Sequence, residues 1–375
     1  MKFSLLATVV LAATTLTAQA AAPQYNIVDL GLLSGATFSQ GINISANGEI
    51  VVGRNLGTQY KAFSWTEGAG MQALGNLSGR NYAVANGVNN AGTIVGTSTT
   101  TAFGSAPLPV IWQNGAATQL AMPTGQTIGQ AWSINSSGVI VGSVGSGLAQ
   151  RAAIYGLNSS SVITATTVNG SYMNYAFDIN DAGLVIGSGT DPNNAAVNVG
   201  LVYDTKTGVM TSVGALAGKN GALNYAISNN GYVVGTSMTN QGSGSPFLWS
   251  AATGMTAIPT MPDWSSATAR GVNDNGWAVG NAGTAYSVPF LYADGSTYLI
   301  TDIILNEAGW NFDTTTSASA MGITNDGTII GTAKFNGVEH AYMLTLAPVP
   351  EPGTYALMLG GLVALGAWKR RRLQA

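Results

Sequence analysis

The chain of 375 residues contains no cysteine and one histidine, and only 8% of its residues are charged. The absence of cysteine excludes disulfide bonds, thiolate catalysis and zinc sites built on cysteine. The single histidine, His340, would need a catalytic or metal-binding partner that the sequence does not identify. Its place within a repeat favours a structural or surface role, so no cofactor or metal site is expected.

The few charged residues are distributed unevenly along the chain. Between Tyr25 and Leu346 there are 15 acidic and eight basic residues, while four further basic residues form one cluster near the C-terminus. An acidic body without a basic patch argues against binding to nucleic acid. Glycine, by contrast, is abundant, with 50 residues, which indicates many backbone positions where a side chain is not tolerated.

The N-terminus has the pattern of a secretory signal peptide. Lys2 precedes an apolar run that extends to Leu16, and Ala18 and Ala20 supply the small residues that signal peptidase requires. The run is shorter than the roughly 20 residues of a membrane-spanning helix. We therefore predict a signal peptide over residues 1–20, cleaved after Ala20, and export of the protein.

The C-terminus contains three features in a fixed order. A Pro-Glu-Pro motif, Pro350, Glu351 and Pro352, is followed by residues 354–368 without a charge, and then by a basic cluster. That cluster consists of Lys369, Arg370, Arg371 and Arg372. The apolar stretch predicts a helix inserted transiently in the membrane, with the basic cluster holding its end at the cytoplasmic face.

This arrangement resembles the PEP-CTERM sorting signal of Gram-negative bacteria that produce exopolysaccharide. The resemblance implies that an exosortase, a membrane-embedded protease or transpeptidase, processes the signal and releases the protein to the cell surface or extracellular matrix. The alternative is a permanent single-pass anchor. We assign residues 347–375 to this signal.

Between the two ends, one short sequence occurs seven times. Its copies include "INSSGVIVG", "INDAGLVIG" and "VNDNGWAVG", and their turn glycines lie 44 to 51 residues apart. These glycines are Gly48, Gly92, Gly138, Gly183, Gly231, Gly276 and Gly327. A polar turn ending in glycine between two β-branched segments predicts a β-hairpin.

The rest of each unit predicts further strands. An aromatic or β-branched run follows each hairpin, such as "AFSW" and "PFLW", and six units have a fourth segment. The seventh unit lacks this segment, and a matching one, "YNIVDLG", precedes the first unit. We predict an all-β fold, a seven-bladed β-propeller over residues 21–346 closed by an N-terminal strand. An open β-solenoid is the alternative.

The repeats also resemble the extracellular HAF repeat, named for a His-Ala-Phe strand. "YKAFSW" with "GMQALGNLSG", and "EHAYML" at His340, carry the resemblance, although only His340 supplies the histidine. The family implies an exported repeat protein without an assigned activity.

Candidate site residues are few. Asp181, Asp274 and Asp326 lie in hairpin turns, where turn chemistry explains them better than calcium binding. Trp264 and Trp310 lie outside the common frame of the repeats and are the candidate carbohydrate contacts.

Two function classes remain. The first is an exported, non-catalytic surface or matrix protein that binds exopolysaccharide or another envelope component through loops on one face. The second is a secreted carbohydrate-active hydrolase or lyase, for which no favoured carboxylate pair is visible. An ice-binding protein is a weaker alternative, because the threonines are scattered. The partners predicted from the signals are signal peptidase and exosortase.

Overall fold

The protein is an all-β propeller with seven blades. The computed structural model describes residues 22–102, 104–239, 244–283, 287–312 and 318–348. Its strands form seven antiparallel sheets, one for each copy of the repeat. The sequence prediction of a seven-bladed propeller is confirmed at this level, and the chain does not form the open β-solenoid.

Each of the first six blades contains four strands in chain order. Strand β1 (Tyr25–Asp29) precedes blade 1, which consists of β2 (Phe38–Ile44), β3 (Val51–Leu56), β4 (Tyr60–Thr66) and β5 (Gly70–Ala73). Blade 2 consists of β6 (Tyr82–Val88), β7 (Ile94–Thr99), β8 (Leu108–Gln113) and β9 (Ala116–Gln119). Blade 3 consists of β10 (Gly129–Ile134), β11 (Ile140–Val144), β12 (Arg151–Tyr155) and β13 (Ser161–Val162).

The second half of the ring repeats this plan. Blade 4 consists of β14 (Tyr172–Ile179), β15 (Leu184–Asp191), β16 (Asn194–Asp204) and β17 (Met210–Ser212). Blade 5 consists of β18 (Gly221–Ile227), β19 (Val233–Met238), β20 (Gly244–Ser250) and β21 (Gly254–Ala257). Blade 6 consists of β22 (Ser266–Val272), β23 (Ala278–Gly283), β24 (Ser287–Ala293) and β25 (Ser296–Leu299). Blade 7 consists of β26 (Trp310–Asn311), β27 (Ser319–Ile323), β28 (Ile329–Phe335), β29 (Val338–Leu346) and β1.

Helix is almost absent from this part of the chain. One 3₁₀ turn covers Gly147–Ala149, and one short helix, α1, covers Ile300–Ile303. No helix among the described residues is long and apolar enough to cross a membrane. The predicted signal peptide, residues 1–20, and the predicted C-terminal helix, residues 354–368, lie outside the described residues.

The repeated sequence forms the inner strand of each blade, a tight turn and the second strand. In blade 1, the Gly48 amide donates to the Ser45 carbonyl at 2.8 Å, which closes the turn. The turn glycines of all seven copies have φ between 76° and 87°. Because side chains disfavour this left-handed conformation, the repeat requires glycine here, as the hairpin prediction assumed.

Apolar side chains of neighbouring blades form the hydrophobic core. The aromatic runs form the third strands, and Phe63 and Trp65 of β4 pack with Ile330 and Ala341 of blade 7. Large third-strand side chains that are fully buried include Trp112, Phe247, Phe290 and Tyr342. Each blade therefore buries its apolar face against the next one, which excludes water from the spaces between blades.

Strand β1 lies at the outer edge of blade 7. It pairs antiparallel with β29, in a register that runs from Tyr25 opposite Leu346 to Asp29 opposite Tyr342. The chain then enters blade 1, where the Ala341 amide of β29 donates to Ser39 Oγ at 2.9 Å. The displaced segment predicted from the sequence thus takes the fourth position of the last sheet.

Candidate functional site: the central cavity

Each inner strand carries a β-bulge six residues before its turn glycine. In blade 3, the pairing with β11 shifts between Ala131 and Ser133, so that Trp132 is the extra residue. Equivalent shifts occur in the other six inner strands. A bulge leaves its extra residue out of the ladder and redirects its side chain.

The bulge explains the last glycine of the repeated sequence. A Cβ on Gly142 would lie 1.9 Å from the carbonyl oxygen of Gln130 in the bulged strand. The corresponding glycines of the other copies give distances of 1.8 to 2.1 Å. These glycines are Gly53, Gly96, Gly187, Gly235, Gly280 and Gly331. The bulge and this glycine therefore occur together in every blade.

The seven extra residues, hereafter the bulge residues, line one cavity on the axis of the ring. They are Ile42, Asn86, Trp132, Phe177, Tyr225, Arg270 and Met321. The cavity has a volume of about 430 Å³, and its wall continues to the inner turns of the blades. This volume falls in the range of small-ligand pockets, which is about 300 to 1,000 Å³.

Four consecutive bulge residues form an aromatic arc that ends in a cation. The ring centroids of Trp132 and Phe177 are 5.8 Å apart, as are those of Phe177 and Tyr225. The Arg270 guanidinium carbon lies 4.1 Å from the centroid of the Tyr225 ring. Tyr175 stacks on Phe177 at 5.4 Å and stabilises its position. The arc covers the wall of blades 3 to 6.

Two N–H groups of this arc have no hydrogen-bond partner among the described residues. They are Nε of Arg270 and Nε1 of Trp132, and both atoms are buried. Buried donors are nearly always satisfied, so a pair of unsatisfied donors in one cavity wall is unusual.

Asp178 is the carboxylate next to the arc. Its Oδ1 accepts hydrogen bonds from Ser133 Oγ at 2.6 Å and from the Ile179 amide at 2.9 Å, and its Oδ2 accepts one from the Ile227 amide at 2.9 Å. Burial raises the pKa of this carboxyl group, and the three hydrogen bonds oppose that rise. Asp178 therefore links the inner strands of blades 3, 4 and 5.

The inner turns are joined by hydrogen bonds between blades. Asn135 Nδ2 donates to the Asn180 carbonyl at 3.1 Å, and Asn180 Nδ2 donates to the Ser228 carbonyl at 3.0 Å. Asn89 and Asn273 make the same bond to the blade that follows each of them. The repeated asparagine thus connects neighbouring blades as well as forming its own turn.

The turn aspartates take part in a second set of these bonds. Asp181 Oδ1 accepts from the Ser136 amide at 2.8 Å, and Asp274 Oδ1 accepts from the Asn230 amide at 2.9 Å. Asp326 bonds within its own turn, to Thr324 and Thr328. The prediction of turn chemistry was incomplete for Asp181 and Asp274, because their acceptors serve the adjacent blade.

The predicted carbohydrate contacts lie away from the cavity. Trp264 is in a loop and packs against Phe290, with ring centroids 5.4 Å apart. Trp310 lies in the short strand β26 and packs against Phe335 at 4.9 Å. Both indoles are partly buried, and neither belongs to the cavity wall.

Of the other predicted site residues, His340 lies in the propeller, and the signal residues lie outside the described part of the chain. His340 Nδ1 lies 2.7 Å from Asp29 Oδ1, which joins β29 to β1. Three groups of signal residues lie outside the described residues: Ala18 and Ala20; Pro350, Glu351 and Pro352; and Lys369, Arg370, Arg371 and Arg372.

Sequence reasoning missed the bulge residues. The available signal was variation at one position: among the seven copies, the position six residues before the turn glycine holds aliphatic, amide, aromatic and cationic side chains. The position before it holds only glycine, alanine or asparagine. A bulge cannot be recognised from alternation, because it interrupts the two-residue period.

Comparison with known proteins identifies the C-terminal signal. Residues 348–372 match the PEP-CTERM protein-sorting motif, which implies processing by an exosortase and supports export. No curated protein matches the chain by sequence. The predicted resemblance to this sorting signal is therefore confirmed.

Solved structures share the propeller fold. An oligogalacturonate lyase in complex with manganese is 12% identical, with a TM-score of 0.54, over 87% of this chain and 94% of that chain. An oligogalacturonate lyase from Vibrio parahaemolyticus is 11% identical, with a TM-score of 0.55 and the same coverage. A puromycin hydrolase mutant is 10% identical, with a TM-score of 0.50, over 80% of this chain and 50% of that chain. At these identities the likeness concerns the fold alone.

Proposed function

We propose that the protein is an exported, non-catalytic component of the cell surface or extracellular matrix that binds exopolysaccharide in its central cavity. The observation that carries this proposal is the diversity of the bulge residues. The bulge position lines the cavity in every blade, and its seven side chains include three aromatic rings, a guanidinium and an amide. Such a mixture is typical of ligand pockets, where apolar faces bury the ligand and few polar groups orient it.

The aromatic arc suits a saccharide. The C–H faces of a sugar ring are apolar and can lie against an aromatic ring, while the hydroxyl groups need hydrogen-bond donors and acceptors. Trp132, Phe177 and Tyr225 supply three adjacent aromatic rings in the cavity wall. The location is supported by the sorting motif at residues 348–372, since exosortase processing releases its substrates outside the cell.

The proposal that the protein is not an enzyme rests on the state of its carboxylates. A glycoside hydrolase needs two carboxyl groups that flank the scissile bond. Asp178 is bound by three donors, and Asp181 and Asp274 hold the turns of neighbouring blades. Each of these carboxyl groups therefore already accepts hydrogen bonds within the fold.

A carbohydrate-active hydrolase or lyase is the second candidate, favoured by one observation. The raised pKa of Asp178 is a property of general acids, which must be protonated to donate. New reducing or unsaturated ends formed from polysaccharide, and lost with Asp178→Asn, would establish this candidate. We expect no such ends.

The binding test uses protein recovered from the cells that export it and polysaccharide isolated from the same cells. We expect co-sedimentation that weakens at least tenfold in Phe177→Ala, because the central ring of the arc is lost. Trp264→Ala and Trp310→Ala are the matched controls and should bind as the unmodified protein does. Loss of binding in either control, with Phe177→Ala unaffected, would move the site to the outer loops.

We also infer that pairing of β1 with β29 is what closes the ring. The cavity depends on this closure, because its wall includes Ile42 of blade 1 and Met321 of blade 7. The resemblance of the repeats to the extracellular HAF repeat stays a prediction from the sequence.

A further inference from the structure

The side chains of the cavity wall indicate which chemical class of saccharide the cavity would bind. Among the described residues that line the cavity, Arg270 is the only cation. Its guanidinium group lies over the Tyr225 ring, and it forms no ion pair or hydrogen bond with any described residue. The Arg270 guanidinium therefore has no anionic partner among the described residues. An anionic group on a ligand would supply one.

The carboxyl group of Asp178, which lies beside the arc, is not the anionic partner of Arg270. Asp178 is satisfied by Ser133, Ile179 and Ile227, and it forms no ion pair with Arg270. Burial raises the pKa of this carboxyl group, and its hydrogen bonds oppose that rise. The other acidic residues of the wall, Asp181 and Asp274, accept hydrogen bonds from backbone amides of the turns.

The order of groups along the arc predicts the orientation of a bound saccharide. Trp132, Phe177 and Tyr225 follow each other at 5.8 Å between centroids, and the guanidinium of Arg270 comes next, 4.1 Å from Tyr225. A sugar ring on Phe177 and Tyr225 would place a ring substituent at Arg270. Arginine binds carboxylates with two parallel hydrogen bonds, which a neutral hydroxymethyl group cannot accept.

We propose that the central cavity binds acidic saccharides, with the carboxylate of a hexuronic acid unit on Arg270 and the sugar rings on Phe177 and Tyr225. The proposal rests on the proposed function and deepens it by naming the substrate class.

The test compares each acidic ligand with its own neutral form. Oligosaccharides of glucuronic, galacturonic and mannuronic acid are prepared, and a portion of each has its carboxyl groups reduced to alcohols. Binding to the exported protein is measured by calorimetry. We expect at least one acid to bind tenfold or more tightly than its reduced form, and this preference to shrink as salt is raised.

Arg270→Gln should bring the acid down to the affinity of the reduced form and leave the reduced form unchanged. The matched control is Arg151→Gln, which removes a guanidinium 3.8 Å above the Tyr172 ring, outside the cavity. This control should retain the preference for the acid. Thermal unfolding of both variants checks that the propeller is intact, and Arg270→Lys, which keeps the charge, should retain part of the preference.

The outcomes separate this inference from the function on which it rests. Equal binding of acid and reduced forms, or an unchanged preference in Arg270→Gln, overturns the acidic ligand and leaves a saccharide-binding cavity. Absence of binding for every acid and every reduced form overturns both proposals.

Discussion

At the scale of single residues, glycine determines where a side chain can point into the ring. The turn glycine allows the left-handed conformation, and the second-strand glycine makes room for the carbonyl of the bulged strand. Without that room the bulge could not form, and the bulge residue would not reach the cavity. The second-strand glycine therefore permits the variable bulge residue in the adjacent inner strand.

Gly142→Ala tests this coupling. The added Cβ would overlap the Gln130 carbonyl oxygen, so we expect the free energy of unfolding to fall by about 3 kcal/mol. Gly68→Ala is the control, since a Cβ there meets no atom within 4 Å. Guanidinium chloride denaturation measures both variants. An equal and small effect in the two would contradict the account of the bulge.

Asp178 gives a pH dependence of known sign. Its pKa is raised by burial above the ordinary value of 3.8, so between these two pKa values the native state holds more protons than the unfolded state. The free energy of unfolding should therefore fall as pH rises from about 4 through the raised pKa. In Asp178→Asn that fall should disappear, whereas Asp263→Asn, in an exposed loop, should keep it. A steeper fall in Asp178→Asn would contradict the assignment.

At the scale of elements, each hairpin forms its own turn and also bonds to the neighbouring blade. Only the turn can be predicted from the hairpin's own sequence. Glycine and polar residues predict the turn, because they satisfy local backbone requirements. The bonds between blades are long-range, and the same asparagine supplies both sets: Asn135 Oδ1 accepts from the Val139 amide, while its Nδ2 reaches blade 4. Local patterns carry no information about the second partner, so the sequence predicted the hairpins and missed the links between them.

Asn135→Asp separates the two bonds. The carboxylate keeps the acceptor for Val139 but places an oxygen against the Asn180 carbonyl, so we expect a loss of about 2 kcal/mol in the free energy of unfolding. Ser136→Ala is the control, because only its backbone amide contacts blade 4. If the two variants unfolded at the same denaturant concentration, the link between blades would be energetically unimportant.

At the scale of the whole molecule, the number of blades and the place of the first strand followed from counting segments. Seven copies with one segment displaced to the start predict a ring, and β1 pairs with β29. The cavity could not be predicted by counting segments, because its wall combines residues that lie 44 to 51 positions apart in the chain and share only a bulge. Its ligand chemistry depends on which blades are neighbours, which only the folded ring determines.

Substitution of His340, which contacts Asp29, tests the pairing of β1 with β29 at the junction between the two ends of the propeller. His340→Ala removes the side-chain contact between β29 and β1 and leaves their backbone pairing in place, and because both side chains are partly exposed we expect a loss of only about 1 kcal/mol. Hydrogen exchange should accelerate at the amides of β1 and stay unchanged in blades 3 and 4. Uniform acceleration in every blade would mean that β1 has no separate role in closure.

The most direct measurement for the central claim is a crystal structure of the exported protein with an oligosaccharide from its own matrix. The account predicts density for sugar rings in the central cavity, against Phe177 and Tyr225, with an acidic group on Arg270. An empty cavity, with the saccharide bound at Trp264, at Trp310 or on an outer edge of the blades, would contradict it.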